Sequence, residues 1–157
     1  MVEFLACRLG RNDEAPNIEL AKKLCDSADK KGIREIADGL KSKEQAVAND
    51  CVKVLYEIGQ RKPELIEEFA DDFITALSSK NNRIVWGSMM ALACITPSKP
   101  EVVFNRLSEI IAAYKNGSSL KHWVCSLFKT RYRKLCGILE KRARQRANPR
   151  RHAKGGH

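Results

Sequence analysis

Four carboxylates lie close together in one short stretch of the chain, Glu67, Glu68, Asp71 and Asp72. Paired carboxylates can share acid and base work, but only where burial or an opposing charge separates their proton affinities. Nothing in the surrounding sequence desolvates these four, so they read as the solvated outer side of a helix. The three histidines, His122, His152 and His157, stand apart, and none has a second His or Cys at metal-ligand spacing. The six cysteines, Cys7, Cys25, Cys51, Cys94, Cys125 and Cys136, include no C-x-x-C pair, and several fall on apolar helix faces. They read as free thiols behaving as small hydrophobes in a reducing compartment. No Gly-rich phosphate loop, nucleophile elbow or H-E-x-x-H helix is present. The expectation is a protein that is not an enzyme, with no cofactor, no metal and no small-molecule substrate.

The other chemistry the residues offer is electrostatic. The 157-residue chain carries a net charge of +10, and its excess is confined to one end. Residues 129 to 157 hold eleven Lys/Arg against the single acid Glu140, and residues 1 to 128 hold eighteen charges of each sign. The neutral body gives no reason to attract nucleic acid as a whole. The tail does, because Lys141, Arg142, Arg144, Arg146, Arg150 and Arg151 can each neutralise a phosphate with counterion release. Such binding is salt-sensitive and blind to base sequence, since no groove-entering element accompanies the arginines. Membrane attachment is not expected, as bulky apolar anchors are absent from Lys141 onward and no run of eighteen apolar residues occurs. With no secretory signal in the opening residues, a cytoplasmic location is expected.

The elements that position these groups are set by a repeat. A shift of 37 residues lays GLKSKEQAVA, residues 39–48, on ALSSKNNRIV, residues 76–85. At the same shift Lys62-Pro63-Glu64-Leu65 falls on Lys99-Pro100-Glu101-Val102, Leu55 on Leu92, Ile58 on Ile95 and Trp86 on Trp123. Such a period holds two helices, neither able to hide its apolar face alone, so neighbouring units must supply the core. In the central unit, Leu65, Ile66, Phe69, Phe73, Ile74 and Leu77 mark a first helix opened by proline. A turn at residues 78–82 follows, and then Ile84, Ser88, Ala91, Leu92 and Ile95 mark a second helix ended by Pro97. The preceding unit has Ile33, Ile36, Ala37 and Leu40, then Val47, Cys51, Val54, Leu55 and Ile58. The following one has Val102, Val103, Leu107, Ile110, Ile111 and Tyr114. Upstream, Pro16-Asn17 opens a helix through Ile18, Ala21, Leu24 and Cys25, with a short helix expected around Phe4 and Leu5. About four units fit within residues 1–140, leaving 141–157 as a basic tail.

The second helices, with Ile84, Ser88, Ala91, Leu92 and Ile95 and with Val47, Cys51, Val54, Leu55 and Ile58, resemble those of the HEAT and armadillo-type repeat family over roughly residues 1–135. Two family marks are missing, the Asp of the turn and the Arg after the aliphatic residue, where Ala48 and Val85 stand. The resemblance implies an all-α fold, a right-handed solenoid of helix-turn-helix units with a concave surface lined by second helices. It implies a scaffold that binds a protein partner. The residues opposite the core side of those helices are Asn49, Lys53 and Tyr56 in one unit, Trp86, Met90 and Ala93 in the next, and Trp123 beyond. They form the expected partner-binding stripe. The paired tryptophans also invite comparison with alkylpurine DNA glycosylases built from HEAT-like repeats, but the neutral body and the lack of a motif-matched Asp speak against that chemistry.

Overall fold

Prolines and polar turns cut the chain into short amphipathic pieces, and each piece is a helix in the computed structural model, which describes residues 1–116. Seven α-helices make up its regular structure: α1 Ala15–Ser27, α2 Lys30–Asp38, α3 Gln45–Arg61, α4 Ala70–Ala76, α5 Asn82–Ile95, α6 Pro100–Asn105 and α7 Leu107–Asn116. No strand occurs among the described residues, and no helix there is long and apolar enough to cross a membrane. Trp123, the six tail cations and the expected boundary at residue 140 lie outside the described residues.

The 37-residue period is present in the backbone as well as in the sequence. The residue before α3, Glu44, has φ −80° and ψ 107°, and the residue before α5, Asn81, has φ −89° and ψ 106°. Each is held by a serine two positions back: Glu44 N–H donates to Ser42 Oγ at 3.2 Å and Asn81 N–H to Ser79 Oγ at 3.1 Å. Lys62 (φ −139°, ψ 78°) and Lys99 (φ −126°, ψ 57°) share a non-helical conformation just before the proline that opens the next turn. Phe69 (φ −94°, ψ 13°) and Arg106 (φ −114°, ψ 19°) both sit in the sparsely populated region between helix and strand. This last pair corrects the expectation of an unbroken first helix over 65–77. That stretch is two 3-10 turns, Pro63–Leu65 and Glu67–Phe69, followed by the short α4, and its counterpart is likewise divided into α6 and α7. The N-terminal helix expected around Phe4 and Leu5 is also shorter than anticipated, a 3-10 turn over Val2–Phe4 followed by hydrogen-bonded turns. Gly10, at φ +68°, ends those turns in a conformation that glycine adopts without penalty.

Packing centres on α3, which lies between α1 and α5 and touches each of them more extensively than any other element. Helix α2 packs on α3, and α4 packs on α5. The core is built from the residues the helical spacing selects: Ile33, Ile36, Val47, Cys51, Val54, Leu55, Ile58, Ile66, Phe69, Phe73, Ile74, Leu77, Ile84, Ala91, Leu92 and Ile95 are all buried. The approach of α5 to α3 is close enough to require glycine. A Cβ placed on Gly87 would stand 2.6 and 2.9 Å from the two methyls of Val52. Alanine at Gly87 gains about 1 kcal/mol of helix propensity, but overpacking against a β-branched neighbour costs about 1–3 kcal/mol. Gly87→Ala is therefore expected to lower the urea midpoint, and adding Val52→Ala to it to recover part of that loss.

Candidate functional site

Three residues on one stripe of α3, Asn49, Lys53 and Tyr56, are spaced by four and three, so they line up along the helix. They form the base of a cleft of about 220 Å³. One wall is the N-terminal segment, with Cys7, Arg11, Asp13 and Glu14, and the other is the first turn of α5, with Arg83 and Trp86. Four of the expected stripe residues are thus brought together: Asn49, Lys53, Tyr56 and Trp86. Met90 is half-buried against the core and does not line the cleft. Ala93 is a correction, because it is buried at 4% exposure. Helix α5 is apolar on nearly every side, with Val85, Met89 and Cys94 buried along with its expected core residues, so at Ala93 there is no open face to present.

Charge on the cleft is heavily cross-linked. Lys53 Nζ lies 2.8 Å from Glu14 and 3.0 Å from Glu57, Arg83 reaches Glu14 at 3.4 Å, and Arg61 reaches Glu57 at 2.7 Å. One chain of ion pairs therefore ties the segment before α1 to α3 and α5. Burial would lower the Lys53 ammonium, but the hydrogen bonds it donates to Glu14, Tyr56 and Glu57 outweigh it and raise the group above its usual value. Burial likewise acts to raise the Glu57 carboxyl, and Arg61 and Lys53 together hold it below the usual carboxylate range. The ammonium also sits 4.7 Å from the centre of the Tyr56 ring, and Tyr56 meets Trp86 edge to face with centroids 5.3 Å apart. Further hydrogen bonds complete the frame. Asn81 Nδ2 donates to Asn49 Oδ1 at 2.9 Å, Ala6 N–H to Asn17 Oδ1 at 3.0 Å, and Cys7 N–H to Asp50 Oδ2 at 2.8 Å. Arg11 and Asp13 pair with each other at 2.8 Å.

No family model, curated protein or solved structure matches this chain. The chemistry must be read from its own residues. The cleft thiol is a poor nucleophile, since burial first and then Asp50 push Cys7 up to about 11. Burial raises Cys25 and pushes Cys51 up to about 12. Cys7, Cys25 and Cys51 are free thiols, and among the described residues no group of three potential metal ligands occurs. A thiol whose pKa is raised on folding holds its proton longer in the folded chain than in the unfolded one. Its contribution is whole below the unfolded value of 9.0 and declines as pH rises above it. Stability is expected to fall above pH 9 by up to roughly 1.4 kcal/mol per pH unit for each such thiol. Denaturant titrations at pH 8 to 11 should show a shallower decline in Cys51→Ala.

The acidic cluster is engaged in ion pairs. Glu68 pairs with Arg34, Asp72 with Lys41 at 2.8 Å, Asp71 with Arg106 at 3.5 Å and Glu67 with Lys99 at 4.0 Å. Each acid of the cluster is met by a cation from the unit before or the unit after. Solvent reaches these pairs and screens them strongly. The sequence missed the Arg11–Glu14 wall of the cleft, which has no periodicity to betray it. Its one local sign is the position of Glu14 just before the Ala15-Pro16 helix start.

Proposed function

We propose that the chain is a non-catalytic scaffold, a right-handed solenoid of HEAT-like helix pairs that holds a protein partner in the cleft beside α3. The observation that carries this reading is the gathering of Asn49, Lys53 and Tyr56 from one unit and Trp86 from the next around one opening. A lining made from equivalent positions of successive units is what a repeat surface offers a ligand. The solenoid reading is supported by the recurrence of backbone angles at 37-residue spacing and by the packing of α3 between α1 and α5. The non-catalytic reading is supported by the engagement of Asp13, Glu14 and Lys53 in ion pairs and by the raised Cys7 thiol. Free thiols at Cys7, Cys25 and Cys51 support work in the cytoplasm.

Affinity purification from the native cell, with and without nuclease, tests this reading. A partner held by the cleft survives nuclease and is lost on Trp86→Ala and on Asn49→Arg, while Lys31→Ala, on the exposed side of α2, retains it. Retention by both cleft variants would sink the proposed surface. A second reading rests on the eleven cations of residues 129–157, which suit phosphate. Under it, nuclease removes the captured material, and deleting Lys141 to His157 abolishes salt-dependent retention on RNA or DNA.

A further inference from the structure

The three carboxylates lining the cleft are not equivalent. Asp13 is paired with Arg11, Glu14 is shared by Lys53 and Arg83, and Lys53 also reaches Glu57, so each of the three cations of the lining has a carboxylate partner. Asp50 belongs to no ion pair among the described residues. Its Oδ2 accepts the Cys7 backbone N–H, the Cys7 thiol stands beside it, and a carboxylate oxygen remains with lone pairs to offer. Asn17 also lines the cleft and is 1% exposed. Its Oδ1 accepts Ala6 N–H, and Asn49 Oδ1 accepts from Asn81, so both side chains keep amide donors for a guest. Trp86 adds an indole, the aromatic ring that best receives a cation.

We infer that the cleft receives one arginine side chain of a protein partner, its guanidinium edge on Asp50 and its face against Trp86, with carbonyls of the same segment on the Asn17 and Asn49 amides. This rests on the cleft being the partner surface, and it names the group that the cleft selects. Arginine fits better than lysine, because a planar fork can bond a carboxylate while its face packs on an aromatic ring. The pairing decides the sign. The lining carries three cations and three carboxylates, but each cation has a carboxylate partner and Asp50 has no cation, so a guest carboxylate would meet paired cations and face Asp50, whereas a guanidinium gives Asp50 the partner it lacks.

The test is an NMR titration of the full chain with N-acetyl-arginine N-methylamide, against its neutral isostere N-acetyl-citrulline N-methylamide. The readouts are the Trp86 indole N–H, assigned by its loss in Trp86→Phe, and the side-chain amides of Asn17 and Asn49. Expected are saturable shifts with the arginine ligand, at least tenfold weaker binding of citrulline, and at least tenfold weaker arginine binding by Asp50→Asn. Absence of saturable shifts, equal binding of the two ligands, or unchanged binding by a folded Asp50→Asn overturns the inference. The citrulline comparison needs no variant, so it decides the matter even if Asp50→Asn fails to fold. If the wild type is silent while a chain with Arg142, Arg144, Arg146, Arg150 and Arg151 changed to Gln responds, the occupant is the chain's own tail and the partner form of the inference is overturned. Partner capture that depends on Trp86, alongside a failed arginine titration, would leave the scaffold reading standing and remove only the cation.

Discussion

Phe73→Ala is expected to destabilise the protein by about 3–5 kcal/mol, the range for emptying a fully buried phenylalanine site. The residue is 0% exposed on α4, and that helix has little else to hold it. Seven residues are too few for a helix to persist alone in water, and the two 3-10 turns before it make poor hydrogen bonds. Its order comes from side chains packed on α5, with Phe73 and Ile74 at the contact. The loss should therefore be local before it is global. Hydrogen exchange on Phe73→Ala is expected to show α4 amides losing more protection than those of α1 and α3. A uniform loss across all helices would mean that α4 does not open as a separate unit.

The second large effect belongs to Lys53. Its side chain and that of Glu57 are each only 13% exposed, so removing the ammonium leaves a poorly hydrated carboxylate with one cation, Arg61, in place of two. Lys53→Met keeps most of the stem and is expected to cost about 2 kcal/mol at neutral pH, below the 3–5 kcal/mol of a fully buried broken pair. The acid dependence gives the sign. In the wild type the Glu57 carboxyl is held down, so its contribution is present above the unfolded value of 4.5 and is lost as pH falls below it. In Lys53→Met burial is opposed by Arg61 alone, and less stability remains to lose on acidification. The gap between wild type and variant should narrow from pH 7 to pH 3 in urea titrations. A gap that stays constant would point to lost stem packing and not to charge. Combining Lys53→Met with Glu57→Gln completes a double-mutant cycle, and the coupling it returns isolates the pair.

What the sequence made legible follows from periodicity. Residues such as Ile36, Val47, Leu55 and Leu92 recur at spacings of three and four, and each is buried. The 37-residue shift placed Asn49 and Trp86 at equivalent positions, and the cleft contains both. The same shift put Tyr56 on Ala93, and both are buried, at 6% and 4% exposure, yet Tyr56 still lines the cleft and Ala93 does not. Where one side of a helix is apolar and the other polar, spacing picks the buried side. In α5 both sides are apolar, so spacing alone cannot distinguish them. The breaks at Phe69 and Arg106 were hidden for a different reason. Both positions continue a helical pattern, and a change of ψ at a single residue leaves hydrophobic spacing nearly intact. The unpaired Asp50 was hidden because pairing is a three-dimensional account. Only when Arg11, Lys53 and Arg83 are seen to be taken does the remaining carboxylate stand out.

The cations that meet the central acids also write an order into the chain. Arg34 occupies the place that the central unit gives to Asp71, and Arg106 the place it gives to Phe69. A tandem duplicate of residues 62–98 would set Glu68 against another Asp71 and leave Asp71 facing a phenylalanine. Lys62 alone would keep its role, in the place of Lys99. The units are thus similar in shape and unlike in charge, each suited to one neighbour on each side. Such an array cannot be lengthened by copying its middle without introducing repulsion along the copied seam. Shuffled or concatenated versions of this chain should hold together less well than the natural order, even though every helix in them is native.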